Sequence, residues 1–288
     1  MGGNGLYLCS LNLANSSNDE IREDLRFGMR FQLILDTLEK ERKSGMCLLL
    51  VQEVKNCMSK DGSKLLTAAE IISGISSVTK MIPLCCANHD GFETSWKVTF
   101  YDPMLFMHLE THNVRDGEPS RNPSKNMGRQ NFTSNKFYWI GNACARYGIV
   151  NELSGKEFNL INVHCPVTET WRAAYCKKLE EYVKNNCDGV PILCAGDFNT
   201  ITDLGGQKQL GFLNGFLIDK TPGGITFIGF PGDGNEDGPY ESSLDKVFVN
   251  QKWQDEFPSV SLSGEFVNIT SPDGLRASDH FLMRMLLV

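Results

Sequence analysis

The sequence predicts an α/β fold in which mixed β-sheets are covered by helices. The chain has 288 residues, of which 41% are hydrophobic, and this content suffices for a sizeable core. Helix-like segments and short strand-like segments both occur along it. No internal repeat and no linker-like stretch divides the sequence. We therefore predict one domain that extends over residues 1–288.

The N-terminal part of the chain predicts two strands and two helices. The first strand is "LYLCSLNLA", whose alternating positions share a face. Apolar residues at helical spacing, with basic residues near the end, predict a helix over 20–43. The run "MCLLLV" over 46–51 is continuously apolar, which is typical of a buried strand. A second helix is predicted over 65–75.

The central part of the chain, residues 81–163, predicts short strands separated by turn residues. The strand-like segments are "MIPLCC", "KVTFY", "LFMHLE", "FYWI", "ARYGIV" and "FNLINV". A helix over 169–185 follows, and then a buried strand over 190–196. The chain ends with the strand "LDKVFV" and an apolar strand over 281–288.

Charge and composition exclude several classes of protein. The net charge of −7 excludes a global basic field for gripping nucleic acid, so a polyanion would need a local patch or metal ions. No apolar run approaches the length of about 18 residues that a transmembrane helix needs. The start "MGGNGLYLCS" lacks the features of a signal peptide. The ten cysteines include no C-x-x-C pair, so we expect thiols in a reducing intracellular compartment, cytoplasm or nucleus.

The segment "CAGDFNT" ends a predicted core strand with a carboxylate and an amide. Asp197 and Asn199 would share a face if the extended conformation continued. Open α/β sheets build binding sites at such strand ends. The letters "GDFN" also suit an ordinary turn, and this motif alone leaves both interpretations open. In the first interpretation, Gly196 would leave room for a phosphate or metal beside the strand end.

Other strand-like segments also end or begin with polar residues. These residues are Asn12, Glu53, His164, Asp245, Asp279 and His280. Carboxylate and amide oxygens suit hard divalent cations such as Mg²⁺. Histidines move protons or stabilise an anion near neutral pH. Metal-assisted attack of water on a phosphate needs this combination of groups, so the set predicts a phosphate-hydrolysing site.

The order of the motifs resembles that of the endonuclease/exonuclease/phosphatase superfamily, which has the deoxyribonuclease I-like fold. The motifs are "SLNLA", "LVQEV", "INVHCPV", "CAGDFNT", "SSLDKVFV" and "SDHFLM", from about residue 6 to the end. The resemblance implies an α/β (α+β) fold, a four-layer αββα sandwich of two mixed β-sheets flanked by helices. It also implies hydrolysis of phosphoric esters with Mg²⁺, for which Mn²⁺ can substitute.

The resemblance implies roles for the residues that handle metal and water. Glu53 would bind the catalytic Mg²⁺ with help from Asn12 and Asp279. Asp197 would orient or deprotonate the attacking water. Asn199 would hold the phosphate or that water.

The resemblance implies further roles around the phosphate. His280 would contact the scissile phosphate, and Asp245 would hold its tautomer. His164 would stabilise the transition state or assist the leaving group. Both Asp197 and His280 remain candidates for the general base. Residues that could bind substrate are Arg146, Tyr147 and Arg172.

Two polar stretches each allow two interpretations. Asp233, Asn235 and Asp237 are spaced like the first half of a calcium loop, which would hold a structural Ca²⁺. The usual closing glutamate is missing, so a solvated acidic loop fits as well. The stretch 111–136 carries five basic and two acidic residues. It would either contact substrate phosphates or form a surface loop.

The sequence favours a phosphodiesterase that acts on nucleic acid, as a nuclease or an end-processing enzyme. The first alternative is an enzyme that acts on inositol phosphates or phospholipids. The second is a catalytically inactive binding scaffold of the same fold. Retention of the whole polar set argues against the scaffold.

Overall fold

The computed structural model describes most of the chain, and its helices and strands are as follows. The described residues are 5–13, 27–58, 65–85, 96–114, 132–140, 155–166, 169–187, 189–199, 217–228, 241–257, 262–272, 274 and 276–287. The helices are α1 (Phe27–Ser44), α2 (Ala68–Thr79), α3 (Glu169–Asn186) and α4 (Gln251–Glu256). The strands are β1 (Tyr7–Asn12), β2 (Met46–Val54), β3 (Cys57–Met58), β4 (Leu65–Leu66), β5 (Ile82–Cys85), β6 (Trp96–Tyr101), β7 (Phe106–Val114), β8 (Phe132–Trp139), β9 (Glu157–His164), β10 (Ile192–Asp197), β11 (Ile218–Asp219), β12 (Phe227–Ile228), β13 (Glu241–Ser242), β14 (Asp245–Val249), β15 (Gly264–Val267) and β16 (Leu282–Leu286).

Most of these strands form two six-stranded sheets. The first sheet has the order β15-β16-β1-β2-β6-β5, and the second has the order β11-β14-β10-β9-β8-β7. In each sheet one pair is parallel, β1 with β2 and β9 with β10, and the other pairs are antiparallel. Both sheets are therefore mixed, as predicted.

Alternation along the strands sorts the apolar side chains into three layers. In β2, Leu48 and Leu50 face the second sheet, whereas Leu49 and Val51 face α1 and α2. A third apolar cluster lies between the second sheet and α3. The predicted αββα sandwich is confirmed.

The helix predicted over 65–75 begins later than expected. Leu65 and Leu66 form β4 instead, and α2 starts after Thr67. Thr67 and Glu70 form a capping box, in which each side chain accepts a hydrogen bond from the other's backbone N–H. This reciprocal cap fixes the first turn, and the helix continues to Thr79.

The remaining predicted elements agree with the described part of the chain, apart from their ends. The predicted helix over 20–43 is described from Phe27 onward. The predicted strand "ARYGIV" lies outside the described residues. Short strands such as β11 to β13 were not predicted. Cys47 and Cys194 are buried in strands, as expected. Among the described residues no helix is long and apolar enough to cross a membrane.

Candidate active site

Polar side chains from both sheets meet at one end of the sandwich. We call them the rim cluster: Asn12, Glu53, His164, Asp197, Asp245, Asp279 and His280. The register of the second sheet sets Asp197 opposite His164 on β9 and opposite Asp245 on β14. Asn12 ends β1 of the first sheet, and its amide Nδ2 donates to Asp197 Oδ2 over 3.0 Å. The predicted residues at the strand ends therefore converge in space.

Glu53 reaches this cluster because β2 contains a β-bulge. The pairing of β2 with β6 is regular up to Val51 and resumes at Val54. The intervening Gln52 and Glu53 oppose a single residue of β6, Lys97. Glu53 has φ 56°, in the left-handed region that residues other than glycine seldom adopt.

The bulge changes the direction in which Glu53 points. Strict alternation would turn Glu53 toward α1 and α2, because Gln52 faces the second sheet. Instead, Glu53 Oε1 lies 3.4 Å from Asn12 Nδ2 and 3.6 Å from His164 Nε2. The extra residue thus places a carboxylate of the first sheet beside a histidine of the second.

The "GDFN" segment is both a turn and part of the cluster. Of the two interpretations left open for this segment, the one in which the extended strand continues through Asn199 is wrong, because the φ of Asn199 is 48°. The turn lets its backbone N–H donate to Asp197 Oδ1 over 2.7 Å. Its amide Nδ2 donates to Asp197 Oδ2 over 3.0 Å and to the Cys165 carbonyl over 2.7 Å. In this geometry Asn199 holds the carboxylate of Asp197 in place.

The interpretation of Gly196 as room for a ligand is also wrong. Gly196 has φ 137°, and a Cβ at this position would lie 2.1 Å from the carbonyl oxygen of Val163 on β9. The neighbouring strand therefore excludes a side chain here, so glycine serves the packing of β9 against β10.

His280 is held in one orientation by Asp245. Its Nδ1 lies 2.8 Å from Asp245 Oδ2, and both side chains are buried. Thr226 Oγ1 accepts the backbone N–H of Asp245 over 3.0 Å. Ser278 Oγ accepts the backbone N–H of His280 over 3.1 Å and donates to the Asn12 carbonyl over 2.7 Å. These two hydroxyls, which were not predicted, fix the backbone on both sides of the pair.

Burial and charge give the cluster distinct protonation states. Burial raises the pKa of Asp197 to about 7, although the charge of His280 opposes the shift. Burial lowers the pKa of His164 to about 4, against the opposing charge of Glu53. Burial would also lower the pKa of His280, but the charges of Asp245 and Asp197 outweigh it and raise that pKa. The site thus pairs a neutral and a cationic histidine with a carboxylate that can take up a proton near neutral pH.

Two groupings of these residues could hold a cation. The compact one is Asp197, Asp245 and His280, whose ligand atoms lie within 4.8 Å of one another. Its His280 and Asp245 already bond to each other, so their capacity is partly used. Glu53 and Asp279 stand at the open side of the cluster, with 22% and 18% of their side chains exposed. Mg²⁺ prefers one or two carboxylates and retains waters, so this open grouping fits it better.

Asn12 completes the open grouping only if its amide turns. In the present orientation its Nδ2 faces both Glu53 and Asp197. A rotation of the amide by half a turn would present Oδ1 to a cation instead. The donor set of Asn12, Glu53 and Asp279 is then all oxygen, which suits a hard divalent ion.

The other predicted site residues differ in where they lie. Arg172 on α3 donates to the carbonyl oxygen of Asn199, which puts it next to the cluster. The remaining predictions fall outside the described residues: Arg146, Tyr147, Asp233, Asn235, Asp237 and most of the basic stretch 111–136. They stay predictions.

Lys97 and Asn162 also belong to the surroundings of the site and were not predicted. Lys97 on β6 is buried, and its charge lowers the pKa of His164. Asn162 on β9 is buried two residues before His164. A polar residue on the inward face of the run "FNLINVH" was the available signal for Asn162.

Comparisons with known proteins show likeness to solved structures. No protein-family model matches the chain, and no curated protein matches it. An endonuclease/exonuclease/phosphatase from Bacteroides vulgatus aligns with TM-score 0.67 and 16% identity, covering 98% of this chain and 99% of that chain. A mannosyl-6-phosphatase from Bacteroides thetaiotaomicron VPI-5482 aligns with TM-score 0.62 and 18% identity, with the same coverage. D. rerio TDP2 complexed with single-strand DNA product aligns with TM-score 0.62 and 11% identity, covering 97% of both chains.

Proposed function

We propose that this chain, which has the deoxyribonuclease I-like fold of the endonuclease/exonuclease/phosphatase superfamily, is a metal-dependent phosphoester hydrolase. One observation carries the proposal: a buried carboxylate with a pKa of about 7, Asp197, stands between two histidines of opposite character. A general base works best when its pKa lies near the operating pH. In this proposal, residues 1–288 form one catalytic domain.

Asp197 would take the proton of the attacking water. Its Oδ2 lies 3.6 Å from His164 Nε2 and 3.7 Å from His280 Nε2, so water bound to Asp197 would be flanked by both imidazoles. The water oxygen would form a bond to phosphorus while the bond to the leaving alcohol oxygen breaks. The leaving oxygen would take a proton from bulk water to become the alcohol, and Asp197 would later return the proton of the attacking water to bulk water.

The two histidines would stabilise the negative charge that develops on the phosphoryl oxygens. His280 would do so as a cation, with Asp245 fixing its ring at Nδ1. His164 is neutral, so it would donate one N–H to an oxygen of the phosphate or the leaving group. Fixed donors in a buried site stabilise such charge more strongly than water does.

A divalent cation, Mg²⁺ with Mn²⁺ as a substitute, would supply positive charge against the phosphate. Glu53 and Asp279 would hold it at the open side of the cluster, and the buried Asn12 would add its oxygen once its amide turns. Asn199 and Arg172 hold the turn that follows Asp197 at the end of β10, so they would act on the reaction through that residue.

The substrate we favour is a phosphodiester of nucleic acid. The likeness to TDP2 bound to single-strand DNA product supports it. So does the predicted basic stretch over 111–136, which could contact neighbouring phosphates. A phosphate monoester of a sugar is the second candidate, supported by the likeness to the mannosyl-6-phosphatase and by the net charge of −7. Inositol phosphates, phospholipids and an inactive scaffold remain alternatives.

A substrate panel tests the proposal. The purified protein is incubated with Mg²⁺ and single-stranded DNA, duplex DNA, RNA, mannose 6-phosphate, an inositol polyphosphate or phospholipid vesicles, and Asp197→Asn is the matched control. We expect cleavage of an oligonucleotide that EDTA abolishes. Turnover of mannose 6-phosphate alone would favour the second candidate. Absence of turnover on every substrate, with tight oligonucleotide binding, would leave the scaffold.

A further inference from the structure

Asn162 links the two sheets directly beneath the rim cluster. It lies on β9, two residues before His164, and its side chain is completely buried on the face toward the first sheet. Its Oδ1 accepts a hydrogen bond from Gln52 Nε2 over 2.8 Å. Its Nδ2 donates to the carbonyl oxygen of Val98 over 3.2 Å and to that of Val51 over 3.4 Å. One amide of the second sheet therefore contacts three residues of the first.

These three partners surround the base of the bulge that carries Glu53. Val51 and Val98 form the last regular pair of β2 and β6 before the bulge, and Gln52 is the first residue within it. The left-handed backbone of Glu53 is strained and persists only where its surroundings fix it. The contacts of Asn162 span the two sheets at the base of the bulge.

We propose that Asn162 is a positioning residue that holds the bulge so that the carboxylate of Glu53 stays in the metal site. This inference rests on the proposed function, because it assigns Glu53 to the metal. Since β9 also carries His164, the same strand that provides the histidine fixes the carboxylate of the opposite sheet. Loss of Asn162 would let β2 relax toward regular pairing, which turns Glu53 toward α1 and α2.

Asn135 offers a matched control. It is also a buried amide between the same two sheets, on β8. Its Nδ2 donates to Thr99 Oγ1 over 3.1 Å, and its Oδ1 accepts from Thr111 Oγ1 over 2.8 Å. None of these contacts involves a residue of the bulge. Its removal should therefore cost stability without moving Glu53.

The test is a titration of Mn²⁺ followed by electron paramagnetic resonance of the free ion, so it needs no substrate. The proteins are wild type, Asn162→Ala, Asn135→Ala and Glu53→Gln, and thermal unfolding is measured for each. We expect Asn162→Ala to weaken Mn²⁺ binding by about tenfold or more, the usual effect of removing a residue that orients a ligand. Asn135→Ala should bind Mn²⁺ like wild type, and Glu53→Gln should bind it least. Asn162→Ser, which keeps one donor, should show a smaller loss and serves if the alanine variant does not fold.

The outcomes separate this inference from the proposed function. If Asn162 and Asn135 variants lose stability alike and both bind Mn²⁺ like wild type, Asn162 is only structural and the inference is wrong. If Glu53→Gln binds Mn²⁺ like wild type, the metal assignment fails and the inference fails with it. If Mn²⁺ binding follows the expected order but no phosphoester is hydrolysed, the inference stands and the proposed hydrolase does not. With an active enzyme, Asn162→Ala should need more Mg²⁺ for half-maximal rate while kcat recovers at saturating Mg²⁺.

Discussion

The two sheets enclose two polar regions that differ in how their groups are satisfied. The rim cluster contains ionisable groups, many of which approach each other only to 3.6–3.9 Å. The second region, which we call the inner cluster, consists of neutral side chains joined by hydrogen bonds of 2.8–3.2 Å. Its members are Ser10, Gln52, Thr99, Thr111, Asn135 and Asn162.

The difference indicates what each region is for. Neutral donors and acceptors that pair with one another hold two sheets together at little electrostatic cost, and in the inner cluster Gln52 Oε1 is the exception, with no hydrogen-bond partner among the described residues. Carboxylates kept close together in a buried place are costly, and the raised pKa of Asp197 is a direct sign of that cost. Perturbed groups of this kind concentrate at functional sites. We infer that the inner cluster holds the two sheets in position and that the rim cluster carries out the reaction.

Of all the substitutions, Asp197→Asn should cause the largest loss of activity in the rim cluster. The amide keeps the shape of the side chain but cannot accept a proton, so kcat should fall about 10³–10⁴-fold, near the upper end of what a general base contributes. Stability should change little, because the cost of burying a charge is removed while hydrogen bonds that Asp197 accepts from Asn12 and Asn199 are lost. Steady-state kinetics on the best substrate and urea unfolding check both parts. A kcat near that of wild type would show that Asp197 is not the base.

Asp245→Asn and His280→Ala should show that the rim residues act in pairs. Each variant should lower kcat by about 10²–10³-fold, because Asp245 acts through the ring that it orients. The double variant should be little worse than His280→Ala alone. Kinetics of the two single variants and the double variant measure this coupling. Independent, multiplying losses would contradict the orienting role of Asp245.

Gly196→Ala should show whether Gly196, next to the rim cluster, serves the packing of the strands or the binding of a ligand. The new Cβ would strain a left-handed backbone and press on the Val163 carbonyl, so the free energy of unfolding should fall by roughly 3 kcal/mol. Gly189→Ala is the control, because Gly189 also has positive φ, 71°, but no atom within 4 Å of the new Cβ. Urea denaturation compares the two. If Gly196→Ala is as stable as Gly189→Ala but inactive, Gly196 instead leaves room for a ligand.

Asn135→Ala should have the smallest effect, and it tests whether the contacts of Asn135 serve stability alone. The change leaves the hydroxyls of Thr99 and Thr111 without their amide partner, which costs about 1–3 kcal/mol of unfolding free energy. The rate should not change, since these contacts do not reach the rim cluster. Urea unfolding and kcat are measured together. A large loss of kcat would mean that Asn135, too, positions residues of the rim cluster.

Much of the fold and of the rim cluster could be predicted, because both depend on short stretches of sequence that can be recognised one at a time. Apolar runs such as that of β2 mark buried strands. A polar residue at the end of such a run, like His164 or Asp197, falls at the edge of a sheet. The resemblance of their order to that of the endonuclease/exonuclease/phosphatase superfamily then implies the sandwich that brings them together.

The rest depends on contacts between distant parts of the chain. The bulge at Glu53 arises from how β2 pairs with β6, and "LVQEV" reads as a simple strand end. Gly196 meets a strand that lies thirty or so residues earlier, so its purpose could not be seen in "AGDFN". Asn199 turns the chain, and the letters "GDFN" alone could not decide between a turn and a continued strand. Strands of two residues, such as β11, are too short to show a period.

The most direct test of the central claim compares wild type and Asp197→Asn in the hydrolysis of a labelled oligonucleotide with Mg²⁺, in water enriched in ¹⁸O. We expect cleavage by the wild type only, and loss of that cleavage in EDTA. Because water attacks phosphorus, we also expect one ¹⁸O atom on the product phosphate for each bond broken. Equal cleavage by both proteins, or ¹⁸O in the alcohol product, would contradict the assignment of Asp197 and of water attack at this site.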